Sequence, residues 1–277
     1  MKPNDLLYHY TTLESFLSIL NNGELWASHI RYLNDTSEQR LAWKHARARI
    51  KNRLEMAGVD IRDRLLKFQK LANSPINFDL FVLCFSKDGG DTLSQWRGYG
   101  GSTGVSIGFE PDELKSRCSS FIKTIKNDQL LHSGWAFLNP VRYIEPDGDD
   151  QSNQVIDTII DNPNPHEVES RFSVDEVFCR RICISSANSK HIAFSEEKEW
   201  RIAIFDVPEN LIHFSPRKSM IVPYVPFDLG KGTAEWPLIQ RVVVGPSPHQ
   251  AETIDAIKMR VDNRVIVEGS SIPFRSW

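Results

Sequence analysis

The chain has 277 residues, with 33 Lys plus Arg against 36 Asp plus Glu and a formal net charge of −3 at pH 7, which excludes a polycation that holds nucleic acid through a global field. Hydrophobic residues are 40% and charged residues 25%, ordinary globular usage that excludes long disorder. No apolar run reaches the roughly 18 residues of a membrane span, and MKPNDLLYHY has no apolar signal core, so a cytoplasmic protein without membrane contact is expected.

Leu6 to Tyr10 reads as a strand. Leu13, Phe16, Leu17 and Leu20 then follow helical spacing, and Asn22-Gly23 stops the helix. Leu25 to Ser28 is the next strand. Residues 35–58 and 60–73 have a helical pattern and carry ten Lys and Arg, from Arg40 to Lys70. They read either as solvated faces or as a basic surface for nucleic acid or an acidic partner. DLFVLCFS at 79–86 is a near-continuous apolar run, the pattern of a strand buried on both faces. TLSQWRGYG follows as a short segment, then a strand at 104–109, a helix at 111–118 opened by Pro111, and a strand at 141–144. Turn formers and acids fill 146–166 around one apolar patch at 155–160, the best candidate for a mobile insertion, taken as about 146–173. A helix at 174–190 precedes strands at 199–205, 212–215, 219–225 and 240–244. A helix at 249–261 and a strand at 264–268 close the chain. This mixed order predicts one α+β domain over 1–277 with a helical insertion at about 35–73.

The four cysteines, Cys84, Cys118, Cys179 and Cys183, lack metal-claw spacing. Cys179 and Cys183 share a helical face, and all four read as buried thiols with no metal site. Three stretches place polar and aromatic groups where a pure core would not. In Tyr8-His9-Tyr10-Thr11, His9 and Thr11 share one strand face and the tyrosines the other, so an imidazole and a hydroxyl can bond a diol beside an aromatic wall. In Ser94 to Gly100, Trp96, Arg97 and Tyr99 between glycines suit a ligand wall, with Arg97 for a phosphate. In Glu196 to Arg201, Glu196 and Glu197 read as a solvated turn. Glu199 enters a stretch that reads as an inner strand, where a carboxylate must be paired, with Arg201 on its face, or functional.

These pieces carry a resemblance. YLNDTSE, VLCFSKDGGDTLSQWRGYG, GVSIGF, KHIAFSEEKEWRIAI and RVVVGP together resemble a widespread bacterial family of uncharacterised proteins, some linked to abortive infection and phage defence. LYHYTTLESFLSILNNGELWAS resembles the opening of the ADP-ribosyltransferase fold. The resemblance implies a split, mostly antiparallel β core flanked by helices, with NAD as co-substrate. It implies that His9 holds a ribose of NAD, Tyr10 or Thr11 meets the nicotinamide amide, Ser28 is the small hydroxyl of the second strand and Ser86 braces the pocket. Asn34 and Asp35 would line its mouth, and Glu199 would be the catalytic carboxylate. CFS at 84–86 departs from both usual forms of that middle motif. Trp96 or Tyr99 would stack on nicotinamide and Arg97 would face the diphosphate. The acceptor would be a nucleic acid, RNA or single-stranded DNA, or a protein, and a toxin or defence effector of this kind would need an antitoxin, chaperone or trigger. Two alternatives stand beside it: a non-catalytic nucleotide-sensing module, and a metal-dependent hydrolase or nuclease built on Asp35, Glu38 and Glu199.

Overall fold

The computed structural model describes residues 5–33, 38–74, 78–100, 104–128, 135–145, 148, 150–162, 173–217, 219–231 and 238–273. The elements run β1 (Leu7–Thr12), α1 (Leu13–Asn22), β2 (Glu24–His29), α2 (Glu38–Met56), α3 (Val59–Asn73), β3 (Leu80–Ser86) and α4 (Leu93–Gln95). After the π-helical turn Trp96–Gly100 come β4 (Gly104–Phe109), α5 (Pro111–Asp128), β5 (Trp135–Pro140), β6 (Arg142–Ile144), α6 (Asp150–Asp161) and α7 (Val174–Ala187). β7 (Ser189–His191), a 3-10 turn Ile192–Glu197, β8 (Glu199–Phe205), β9 (His213–Arg217), β10 (Met220–Asp228), β11 (Ile239–Val244), α8 (Gln250–Lys258) and β12 (Ile266–Gly269) complete the fold.

Ten strands form one sheet, mostly antiparallel, and β6 and β7 form a separate parallel pair. The strand at its centre is β3. Its run LFVLCFS is apolar because both faces are covered. Phe81, Leu83 and Phe85 enter the main core with Phe16 of α1 and Leu114 of α5, while Leu80 and Val82 pack with Ala187 at the end of α7. β8 occupies the whole of one β3 edge, from Leu80 opposite Phe205 to Ser86 opposite Glu199. β1 and β2 must therefore share the other edge. β2 pairs at Val82 and Phe81, β1 pairs at Ser86, and the sheet forks between them. One limb continues β1–β4–β11–β12, the other β2–β10–β9. α1 bridges the two arms of the fork. Thr12 caps its start by accepting from the Ser15 amide, and Gly23 ends it at φ 75°, a left-handed angle that favours glycine.

The helices α2, α3, α6 and α7 make a second core. Phe68 of α3 stacks on Phe178 of α7 at 4.1 Å, and Ile50, Ile156, Ile160, Cys179 and Cys183 fill the space around them. Ser173 and Glu176 cap α7 reciprocally, an arrangement worth about 1 kcal/mol. Both expected insertions contribute to this second core. α6, in the segment read as mobile, buries Ile156, Ile159 and Ile160 against α2 and α7. Residues 146, 147, 149 and 163–172 of that segment lie outside the described residues. The helical insertion is therefore half of a four-helix lobe whose other half arrives a hundred residues later. α5 also runs ten residues beyond the expected end at 118, and β5 is a strand that the sequence pattern did not reveal.

Candidate functional site

A strand that lacks a neighbour must satisfy its backbone groups in another way. In the fork, His9 Nδ1 lies 2.9 Å from the carbonyl of Cys84. A carbonyl only accepts, so Nδ1 carries the hydrogen and Nε2 is left as an acceptor. Burial lowers the His9 pKa against the opposing pull of that carbonyl, so the ring stays neutral near pH 7. The fork opens into a cavity of about 470 Å³, a size ordinary for small-molecule sites.

The cavity wall gathers residues from distant parts of the chain: His9, Tyr10 and Thr11 from β1, Ser28 from β2, Cys84 and Ser86 from β3, Tyr99 from the π-helical turn, Glu197 from the 3-10 turn and Glu199 from the start of β8. Ser86 and Glu199 are register partners, and the Ser86 hydroxyl donates to the Glu197 carbonyl at 2.5 Å. Lys198 between the two acids takes φ 45°, which turns the chain from the 3-10 turn into the strand and leaves both Glu197 and Glu199 on the cavity. The reading of Glu197 as a solvated turn residue is thereby corrected.

Two other expectations are corrected. Trp96 is 2% exposed and absent from the wall. Its ring packs edge-on against Tyr10 at 4.9 Å among Leu6, Tyr8 and Val243, and its Nε1 donates to Asp91 at 2.8 Å, so it offers a ligand no face. Arg97 is exposed on the π-helical turn and does not line the cavity. Tyr10 contributes its ring, but its hydroxyl donates to Asp88 at 2.8 Å and accepts from the Thr92 amide, which leaves Tyr8, Thr11 and Thr12 as the other hydroxyl residues of β1 in the wall. Asn34 and Asp35 lie outside the described residues, as does the side chain of Glu38.

Glu199 is 5% exposed and held on several sides. Arg201 Nε donates to its Oε1 at 2.7 Å and Nη2 to its Oε2 at 2.9 Å. Lys190 Nζ reaches Oε2 at 3.1 Å and the Glu197 carboxylate at 2.7 Å. The Cys84 thiol donates to Glu199 as well. Burial alone would raise the Glu199 pKa, but Arg201, then Lys190 and Cys84, overcome it and hold the carboxyl below its usual value. The result is an ionised carboxylate in a low-dielectric wall, matched by two cations behind it. Those cations oppose the entry of a divalent ion, and among the described residues no group of three or more His, Cys, Asp and Glu is placed to hold a metal.

The basic helices tell a different story from the one their composition suggests. Arg49 forms a two-bond pair with Asp157 at 2.9 and 2.5 Å, and Arg53 reaches Asp157 at 3.2 Å and Asp161 at 2.6 Å. Arg47 donates to the Ala72 carbonyl, and Lys67 pairs with Asp175. The acidic segment of α6 thus pairs with Arg49 and Arg53, two of the ten basic residues read as a possible nucleic-acid surface.

Further residues of the wall were not read from the sequence: Glu14, Glu24, Trp26, Gln95 and Arg217. Glu24, Trp26 and Ser28 alternate along β2, so an alternation search on that short strand would have put them on one face.

The fold defines a mixed α/β domain with a large, mostly antiparallel sheet flanked by helices, and among the described residues no helix is long and apolar enough to cross a membrane. Over residues 95–202, less than half of the chain, the sequence matches the model of a family described as a protein of unknown function (DUF2971). That stretch includes Tyr99, Lys190, Glu197, Glu199 and Arg201, but neither arm of the fork. No curated protein and no solved structure matches the chain.

Proposed function

We propose that the cavity binds NAD and that the chain transfers ADP-ribose from it, as the resemblance of its opening residues to the ADP-ribosyltransferase fold implies. The observation that supports this reading is the meeting of His9, Ser86 and Glu199 on one cavity where the central sheet forks. In the reaction the bond between C1′ of the ribose and the nicotinamide nitrogen breaks, and its electron pair leaves with neutral nicotinamide. A lone pair on an oxygen or nitrogen of the acceptor forms the new bond to C1′, and the acceptor proton passes to water. Positive charge builds on the ribose in the transition state, as in other glycosyl transfers. An ionised carboxylate fixed in a water-poor wall stabilises that charge, which is the role of Glu199. His9, neutral and locked by Cys84, offers an acceptor for a ribose hydroxyl and contributes by fixing geometry.

The test is release of nicotinamide from NAD carrying a label in its adenylate part, with RNA, single-stranded DNA and mixed protein present as acceptors. Glu199→Gln is expected to lower release about 100- to 1,000-fold while NAD still binds, the usual loss for one preorganised stabiliser. Thermal unfolding is followed alongside, because the substitution also unpairs Arg201. Normal release from folded Glu199→Gln rejects this role. A second reading has its own observation: Arg201, Lys190 and Cys84 already engage the Glu199 carboxylate. A nucleotide-binding module without catalysis fits that engagement, and it predicts NAD binding with no nicotinamide release by the wild-type chain.

A further inference from the structure

The charges in the cavity wall are uneven. Four carboxylates line it, Glu14, Glu24, Glu197 and Glu199, and among the described residues Arg217 is the one Lys or Arg that does so. Lys190 and Arg201 stand behind Glu199 and bond to it. A phosphate-bearing ligand therefore meets a cationic side chain of the described wall at the end of β9. Arg217 is exposed there at the sheet's edge limb, as a phosphate-binding guanidinium must be.

The same limb carries an aromatic platform. Trp26 of β2 lines the cavity with 39% of its surface exposed. Its ring stacks on Tyr224 of β10 at 4.2 Å and 23°, and Tyr224 is flanked by His213 of β9 at 5.6 Å. The register explains the row: Tyr224 pairs with Ser28 on one side and His213 on the other, one step diagonal from Trp26. An indole braced in this way keeps its orientation, so stacking a flat ring on it needs little further ordering. Glu24 is the next residue on the Trp26 face of β2 and lines the cavity too. Its carboxylate suits an amino or hydroxyl donor and repels phosphate, which sets the direction of the ligand.

From these placements we propose that the β2–β10–β9 limb is the nucleotide subsite of the cavity: Trp26 stacks the base, Glu24 accepts from its amino group or ribose, and Arg217 holds the phosphates. This inference rests on the reading of the cavity as a dinucleotide site and assigns its two ends. The base and phosphates lie along the edge limb, and the ribosyl end lies against Glu197 and Glu199.

The test is calorimetric titration of the full chain with ADP and with adenosine. Wild type is expected to bind both, ADP more tightly and with a steeper salt dependence. Arg217→Ala is expected to weaken ADP about tenfold and to leave adenosine unchanged. Trp26→Ala is expected to weaken both ligands by the same factor, about 5- to 150-fold, and Trp26→Phe to restore most of it. Wild type that binds neither ligand overturns the inference, as does an Arg217→Ala protein that keeps full ADP affinity or a folded Trp26→Ala protein that keeps both. The two proposals fail separately. Nicotinamide release with an unchanged KM for NAD in Arg217→Ala overturns the subsite and leaves the transfer standing. Tight ADP binding without nicotinamide release overturns the transfer and leaves the subsite.

Discussion

Two ion clusters in this molecule use the same groups in opposite settings. On the helical lobe, Arg49 and Arg53 meet Asp157 and Asp161 with side chains between 17% and 50% exposed. On the cavity wall, Arg201 and Lys190 meet Glu199 with side chains at 6% or less. In water the first cluster gains little from its attraction, because solvent screens both charges. In the wall the charges have been taken out of water, so each depends on the others remaining in place. The contrast shows why a sequence rich in Arg and Lys says so little by itself: the same guanidinium is a solubilising surface in one place and a structural dependency in the other.

The largest expected effect comes from removing one buried partner. Arg201→Met should cost about 3–5 kcal/mol in urea unfolding, because it strips a buried carboxylate of its two-bond partner. The paired replacement Glu199→Leu with Arg201→Met should recover most of that loss, since an apolar pair needs no solvation. If Arg201→Met unfolds at the wild-type urea midpoint, the buried cluster is not the dependency described here.

Acid should separate the clusters next. The Glu199 carboxyl is held below its usual value of 4.5 in the folded chain. The folded form therefore binds that proton less readily than the unfolded chain does, and stability from this group is present above pH 4.5 and lost as pH falls below it. Asp157 is likewise depressed, from 3.8, chiefly by its bond to Arg49, so its contribution fades lower on the scale. In a urea titration between pH 6 and 3, replacement of Glu199 by Gln should flatten the upper part of the slope. Asp157→Asn should leave that part alone, and an identical slope in both variants would contradict the assignment.

The smallest effect belongs to the half-buried cluster of the helical lobe. Arg53→Ala or Asp157→Asn should each cost about 0.2–1 kcal/mol, and the cost should shrink further in 1 M salt. A loss near that of Arg201→Met would place α6 among the principal supports of the lobe.

Much of the fold could be read before any coordinates. The unbroken apolar run at 80–86 belongs to a strand covered on both sides, and Leu13, Phe16 and Leu20 with Gly23 give a helix and its end, because both patterns are local. β5 escaped since Trp135 and Phe137 alternate with Ala136 and Leu138 without a polar face to mark the period. The site was legible in part for the same reason. His9, Ser86 and Glu199 are chemically conspicuous on short strands, whereas Arg217 and Trp26 acquire meaning only when β2, β10 and β9 assemble into one limb. Trp96 misled because nothing in TLSQWRGYG reveals that Asp91 takes its indole hydrogen. Arg49 and Arg53 misled because their partners repeat the same four-residue step more than a hundred positions away.

The double occupancy of one β3 edge has a consequence for how this protein can change. Cys84 and Ser86 give the hollow its polar groups from β3, while Leu83 and Phe85 border it and also belong to the main core. Slipping or inserting a single residue in β3 would exchange the two faces of the strand and shift the register against β1, β2 and β8 at once. Lineages carrying this chain can thus exchange letters around the hollow more readily than they can lengthen or shorten the word they are written in.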